Sequence, residues 1–318
     1  MATPLSLARW AFRFRLRTAL FILLFLQIPL AYVFYAQLRI QRENRAINYL
    51  TRGSGTVRRG DFPFDPMQGR EDIERKQPIH QFLGTVGIDE YFYCVTRIQA
   101  EGVVYDSSFA SAIEDLPRLR TLILSNPLLG TDVRFPTRRH DSLTTLTIWP
   151  SSIPSGFIRS LSGCHRLETL SLNYCNILPS QYDEFSSLSQ VRALHLIDCK
   201  PSSHSWQFLG QMTYLEHLDI PFHANISDAF SYISPSVRIV NADSCTFGDS
   251  HPQITHERMA LEELSFTNTS VSLEHFLVIA DRSPHLRRVG FSRITFKDNE
   301  LILLKERCPT IAFSRAPY

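Results

Sequence analysis

The sequence predicts an α/β solenoid, with a curved parallel sheet on the concave face and short helices on the convex face, preceded by a single transmembrane helix. Three observations predict it. A leucine-rich frame returns at a near-constant interval, each period has a strand-like half and a helix-like half, and an uncharged apolar stretch, Thr18 to Leu38, lies near the N-terminus.

The frame L-x-x-L-x-L stands at Leu119-Leu122-Leu124, Leu143-Leu146-Ile148, Leu167-Leu170-Leu172, Val191-Leu194-Leu196 and Leu215-Leu218-Ile220. It continues as Val237-Val240-Ala242, Leu261-Leu264-Phe266 and Leu286-Val289-Phe291. A weaker copy, Val95-Ile98-Ala100, precedes these, and a partial one, Cys308-Ile311-Phe313, closes the chain, making about ten repeats over residues 95–318. Measured between frame starts, the steps in residue number are 24, 24, 24, 24, 24, 22, 24, 25 and 22. A fixed period of this size is the signature of a repeat architecture.

Alternation in the L-x-L part gives a short strand with one face turned inward. Eighteen places after the frame start stand Ile113, Leu161, Phe185, Leu209, Ile233, Ile279 and Leu304, within segments such as FIRSLSGC and EFSSLSQ that read as helical turns. Each period therefore has apolar positions on its strand and on its return segment. One repeat cannot bury both sides alone, so neighbours must stack into a continuous core.

The frame resembles the signature of the leucine-rich-repeat family, and Cys175, Cys199, Cys245 and Thr269, eight places after their frame starts, resemble its cysteine-containing subclass. The resemblance implies that these side chains satisfy backbone groups of the turn. Pro127, His223 and Ile294 depart from that column and imply turns closed in another way. Cys164 and Cys308 fall on the core-facing return side, so the cysteines are expected to be buried thiols. No C-x-x-C spacing for a metal cluster occurs, and a disulfide framework is disfavoured.

Before the repeats, Thr18 to Leu38 reads TALFILLFLQIPLAYVFYAQL. As a helix it would span roughly 30 Å, the thickness of a bilayer's hydrocarbon core. Cleavage as a signal peptide would fall after Ala36, and Phe34 occupies the place where a small residue is needed. The expected organisation is a basic tail at 1–17, a transmembrane helix at 18–38, a juxtamembrane helix, connector and N-terminal cap at 39–94, and the repeat domain at 95–318. The segment RFRLRT at the head of the helix, QRENRAINYL after it, and HQFLGTVGIDEYFYCVTRI before the first repeat resemble a family of small bacterial single-pass membrane-anchored leucine-rich-repeat proteins. That resemblance implies a tethered repeat domain and assigns no activity. Four arginines and the terminal amine precede the helix, against Arg39, Arg42 and Arg45 after it. This balance predicts the N-terminus inside and the repeat domain exported.

Charge excludes one class of partner. Residues 1–60 hold ten arginines against the single acid Glu43, a charge of +9, so with +2 overall the remaining residues carry −7. An acidic domain is a poor nucleic-acid binder, because phosphate-backbone affinity comes from lysine and arginine. No P-loop, G-x-G-x-x-G, G-x-S-x-G or H-E-x-x-H motif occurs, so no catalytic residue and no cofactor is predicted and the chain is expected not to be an enzyme.

The concave face remains. Residues two, four and six places after each frame start face outward. Most are small and neutral, but His195, Asp219 and Asn241 take the same place on three successive strands, with His217 and Asp243 beside them. Neighbours in such a row lie about 4.8 Å apart. The row has three readings: a weak candidate metal or polar-ligand site at His195, Asp219 and Asn241, a solvated hydrogen-bonded row, or part of a protein-binding patch. The patch would comprise Trp149, Asn173, Tyr174, His195, His217, Asp219, Phe222, Asn241 and Asp243, with Trp149, Tyr174 and Phe222 as aromatic anchors. The leading functional expectation is thus a membrane-anchored module that binds or scaffolds a protein partner. A small-ligand or metal sensor and a structural protein of the cell envelope are the alternatives.

Overall fold

A computed structural model describes residues 27, 34–35, 37–50, 56–60, 94–131, 133–135, 142–199, 206–222, 224–247, 258–266, 268–269, 271–291 and 298–315. Two compact units divide the chain, Met1–Arg45 with Gly60–Cys94 and Ala46–Arg59 with Val95–Tyr318. The expected membrane span at 18–38 lies outside the described residues except at 27, 34, 35, 37 and 38, which are helical. Among the described residues no helix is long and apolar enough to cross a membrane.

The repeats build one sheet. Its strands are β1 (Thr56–Gly60), β2 (Cys94–Glu101), β4 (Thr121–Ser125), β6 (Thr145–Trp149), β7 (Thr169–Leu172), β8 (Ala193–His195), β9 (His217–Asp219), β10 (Ile239–Asn241), β11 (Glu263–Phe266), β12 (Arg288–Phe291) and β13 (Ala312–Arg315), hydrogen-bonded in that order. A two-stranded parallel sheet, β3 (Val104–Tyr105) with β5 (Leu128–Leu129), flanks the first repeats. From β2 to β13 every neighbouring pair in the large sheet is parallel. Leu122 faces Ile98 and Leu146, Leu170 faces Leu146 and Leu194, and Leu218 faces Leu194 and Val240, as the repeating frame requires.

The closing copy is corrected by one register step. Val289 pairs with Phe313 and Phe291 with Arg315, so the last strand keeps the usual repeat spacing from its neighbour and Cys308 does not start a frame. A shift of two residues keeps the same side chains on the inner face, so alternation alone fixes the parity of this strand and not its register.

All twenty-seven frame positions from Val95 to Phe291 are buried, most of them completely, and those from Val95 to Val289 form one core with the return-segment column from Ile113 to Leu304. Among the described residues, short helices follow β2, β6, β7, β8, β9, β11 and β12 on the side away from the sheet. Three begin with a side-chain cap that satisfies an otherwise unpaired N–H. Asp106 accepts from Phe109 N at 2.8 Å ahead of the helix Ser107–Glu114, Asn225 from Ser227 N at 3.1 Å ahead of Ile226–Tyr232, and Ser272 from His275 N at 3.2 Å ahead of Leu273–Arg282. Two buried polar side chains tie neighbouring repeats in the same way. The Glu184 carboxylate accepts from Gly156 N at 2.8 Å and Arg159 N at 3.2 Å. Gln181 accepts from Leu178 N at 2.6 Å and donates to Ile153 O at 2.7 Å. At the N-terminal end, Ala46 and Leu50 of the helical stretch 37–50 join the core, and Tyr49 Oη lies 3.3 Å from the Asp106 carboxylate. This helix end thus covers apolar surface beside the first repeat, the task an end cap must perform.

The turns after β6, β7, β8, β10 and β11 use the column eight places into the frame. Cys199 Sγ donates to Leu172 O at 3.1 Å and Cys175 Sγ to Ile148 O at 3.6 Å; Cys245 Sγ reaches Pro221 O at 3.4 Å and Thr269 Oγ1 reaches Ala242 O at 2.6 Å. Ser151 stands in the same column and donates to Pro127 O at 3.1 Å, so a small hydroxyl does here what the cysteines do in later repeats. Each side chain thus joins its turn to the repeat before it. The five cysteines whose side chains are described are free thiols, and all but the half-buried Cys308 are buried.

Two outcomes follow from this packing. Leu194→Ala removes a fully buried side chain from the middle of the stack, and is expected to lower unfolding free energy by roughly 2–5 kcal/mol in urea titrations of the full chain. Burial, with Asp243 nearby, pushes the Cys245 thiol up to about 12. An unfolded thiol has a pKa of about 8.5 and the thiolate is the nucleophile, so at pH 8.5 Cys245 should resist iodoacetamide in the folded chain and alkylate once urea is added, as read by peptide mass spectrometry.

Candidate functional site

Parallel pairing decides which side chains meet on the outer face of the sheet. His195 on β8 and Asn241 on β10 are the direct register partners of Asp219 on β9. His217 lies two places before Asp219 on the same strand, so its side chain emerges on the same face. These four residues form one connected cluster, whose members are each half-buried.

Asp219 is its hub. His195 Nδ1 lies 2.5 Å from Oδ2, His217 Nε2 lies 2.8 Å from Oδ1, and Asn241 Nδ2 donates to Oδ1 at 2.7 Å. An ionised carboxylate only accepts, so both imidazoles present N–H toward it. The 3.2 Å approach of Asn241 Nδ2 to His217 Nε2 then brings two donors together, and the amide is committed to Asp219. The imidazole rings lie 4.9 Å apart at 61°, edge to face. Burial acts to raise the Asp219 pKa. The hydrogen bonds from His195 and His217, followed by their charges, outweigh it and hold the carboxyl well below the usual carboxylate range.

This arrangement alters the expected ligand set. The row His195, Asp219, Asn241 is present, but the groups that converge as potential metal ligands are His195, His217 and Asp219, each offering one donor atom within 4.8 Å of the others. Asn241 orients the carboxylate instead. The row rule considers only neighbours across strands, whereas His217 joins through the two-residue period along β9.

The remaining expected residues are spread around this cluster. Asn173 is half-buried and its Oδ1 accepts from Ser171 Oγ at 3.2 Å. Asp243 is half-buried, with Ser265 Oγ 3.4 Å from its Oδ1. Trp149 at the end of β6 is 46% exposed and Tyr174 in the turn after β7 is 54% exposed, whereas Phe222 is half-buried. Val104 in β3, Leu128 in β5 and Leu178 just ahead of the helix Pro179–Tyr182 are also exposed large apolar side chains.

Sequence reasoning missed a conformational column at these turns. Seven places after the frame start, Gly102, Asn126, Tyr174, Asp198, Ser244 and Asn268 all have positive φ, between 50° and 60°. This left-handed step lets the chain leave the strand and offer its N–H to the next repeat: Gly102 N bonds Ser125 O at 2.8 Å and Tyr174 N bonds Ile197 O at 2.7 Å. Glycine, asparagine and aspartate tolerate the conformation, and their recurrence at +7 was the available signal. Ser244 and Tyr174 are the exceptions, and Tyr174 is the bulky one. A bulky side chain at φ 56° is held against its own preference.

A recurrent leucine-rich frame, a parallel ladder in that register and a cysteine column bonding successive turns define a leucine-rich-repeat solenoid. Among solved structures the chain is similar to two internalins of Listeria monocytogenes. One, internalin inlF, is 15% identical over 77% of this chain and 70% of its own, with a TM-score of 0.45. Internalin C2 is 16% identical over 62% of this chain and 81% of its own, with a TM-score of 0.43. No protein-family model and no curated protein matches the chain.

The strain at the exposed turn has a direct measure. Tyr174→Asn places at this position the residue already used at 126 and 268, and should raise unfolding free energy by about 1 kcal/mol. Equilibrium urea unfolding checks it, and a destabilised variant would mean that phenol packing outweighs the backbone strain.

Proposed function

We propose that this protein is a membrane-anchored, non-catalytic protein-binding module. A helix at 18–38 tethers it with the N-terminus inside, and the exported repeat domain engages a protein partner through its sheet face and the adjoining turns. The observation that carries this reading is Tyr174. An aromatic side chain exposed at 54% and held at positive φ is costly to folding, in a column where other repeats use residues that bear that conformation more easily. Such a cost persists where the side chain serves something other than stability.

Its surroundings support the same use. Trp149 is exposed one repeat earlier, and tryptophan and tyrosine supply large contact area at low entropic cost, which places them among the residues that dominate interface energies. The sheet face beside them is small and neutral at Thr145, Thr147, Thr169 and Ser171, so a partner can approach the backbone closely. The arginine balance around residues 18–38 supports the orientation.

The test is proximity labelling by the intact anchored protein, with a labelling enzyme fused at the C-terminus, in cells carrying the wild type or Trp149→Ala/Tyr174→Ala. Wild type is expected to label a defined protein on the outer side of the membrane. The double variant should lose that label by at least roughly 30-fold, because losing even one residue that contributes about 2 kcal/mol lowers affinity by that factor. Labelling that is unchanged by the double substitution would sink the assignment of these aromatics. Labelling confined to inner-side proteins would reverse the orientation.

A further inference from the structure

We propose that His195, His217 and Asp219 form a binding site for a divalent transition metal ion, best suited to zinc, on the outer face of the sheet. The proposal goes beyond the protein-binding reading and does not depend on it.

The donor set is the first argument. One nitrogen from each imidazole and one carboxylate oxygen lie within 4.8 Å of one another, and small rotations of the three side chains would bring each to the distance of about 2.0–2.2 Å that zinc requires. Two nitrogens and one oxygen suit a borderline cation; calcium and magnesium take oxygen ligands almost exclusively. Convergence is the second argument. His195 comes from β8 and the other two from β9, and direct backbone pairing of His195 with Asp219 fixes their separation before any ion arrives. Without metal, the protons on the two imidazoles take its place against the carboxylate.

Support around the ligands is the third argument. Asn241 Nδ2 donates to Asp219 Oδ1 at 2.7 Å, the kind of outer hydrogen bond that orients a ligating carboxylate. Access is the fourth. The side chains of His195, His217 and Asp219 retain 23%, 30% and 18% exposure, so an ion can enter from solvent. Three protein ligands leave a tetrahedral ion one open position. That position would face outward, available to water or to an oxygen or nitrogen donor brought by a partner.

The experiment uses the full chain in detergent micelles. Zinc is titrated by calorimetry and cobalt, as a coloured substitute, by visible absorption, with thermal unfolding followed with and without zinc. Wild type should take up about one zinc ion per chain at this site, give a low-coordinate cobalt spectrum, and unfold at a higher temperature with zinc present. His195→Gln/His217→Gln keeps a hydrogen-bond donor toward Asp219 and should remain folded while losing that equivalent, the cobalt band and the thermal shift. Asn241→Ala should keep the site and weaken it roughly 10-fold. The proposal is overturned if the folded double-glutamine variant binds zinc with the same stoichiometry and affinity as wild type, which would locate binding at other histidines. It is equally overturned if wild type takes up no zinc.

Discussion

Everything in the repeat unit depends on the requirement that each turn find its neighbour one repeat further along the chain. A single turn has a strand with one apolar face and a short return segment with another, and it can bury neither without a neighbour. The parallel ladder meets that need and satisfies the strand's backbone groups at once. Leu194 is buried because Leu170 and Leu218 stand on either side of it. The same holds through the core, so burial in this unit is a property of columns and not of individual segments.

Columns also explain features that look local. One place after the frame start, the residues Glu168, Arg192, Glu216, Arg238, Glu262 and Arg287 alternate in sign through six successive repeats. Arg192 and Glu216 meet at 2.6 Å, and Arg238 and Glu262 at 2.7 Å. Exposed pairs of this kind contribute on the order of 0.2–1 kcal/mol each, little beside the leucine core. Their larger effect is on register, since a slip by one whole repeat would keep every leucine buried and set like charges opposite one another. Apolar periodicity cannot penalise that error; alternating charge can.

The sequence exposed whatever repeats and concealed whatever happens once. The frame, the burial of its leucines and the cysteine column were legible because each appears many times with the same neighbours. The register of the closing strand was not, because apolar alternation constrains only its parity. His217 stands in a different row, between Ala193 and Ile239, and reaches Asp219 by a step along β9. The left-handed column was visible in Gly102, Asn126, Asp198 and Asn268, but its meaning depends on φ, which residue identity only hints at. Tyr174 could not have been found that way, since nothing about a tyrosine marks a left-handed turn. The expected membrane helix falls largely outside the described residues and was read from the uncharged stretch itself.

Variation in repeat length also bears on how a site can exist here at all. The step from Leu215 to Val237 is shorter than the common one and that from Leu261 to Leu286 is longer, yet Leu218 still faces Val240 and Leu264 still faces Val289. These departures are therefore absorbed outside the strands, where a small change in length does not move any side chain to the opposite face. The cluster around Asp219 spans one of these irregular steps, with Asn241 arriving at the end of the short repeat and still opposite the carboxylate. A set of three or four polar side chains on adjacent strands is thus insulated from the loops that vary most. The turn after β7, where Tyr174 lies, carries strain and exposure while the sheet behind it stays in register. The polar cluster thus rests on strands whose register is fixed by their neighbours, and the strained tyrosine on a turn whose conformation leaves that register unchanged.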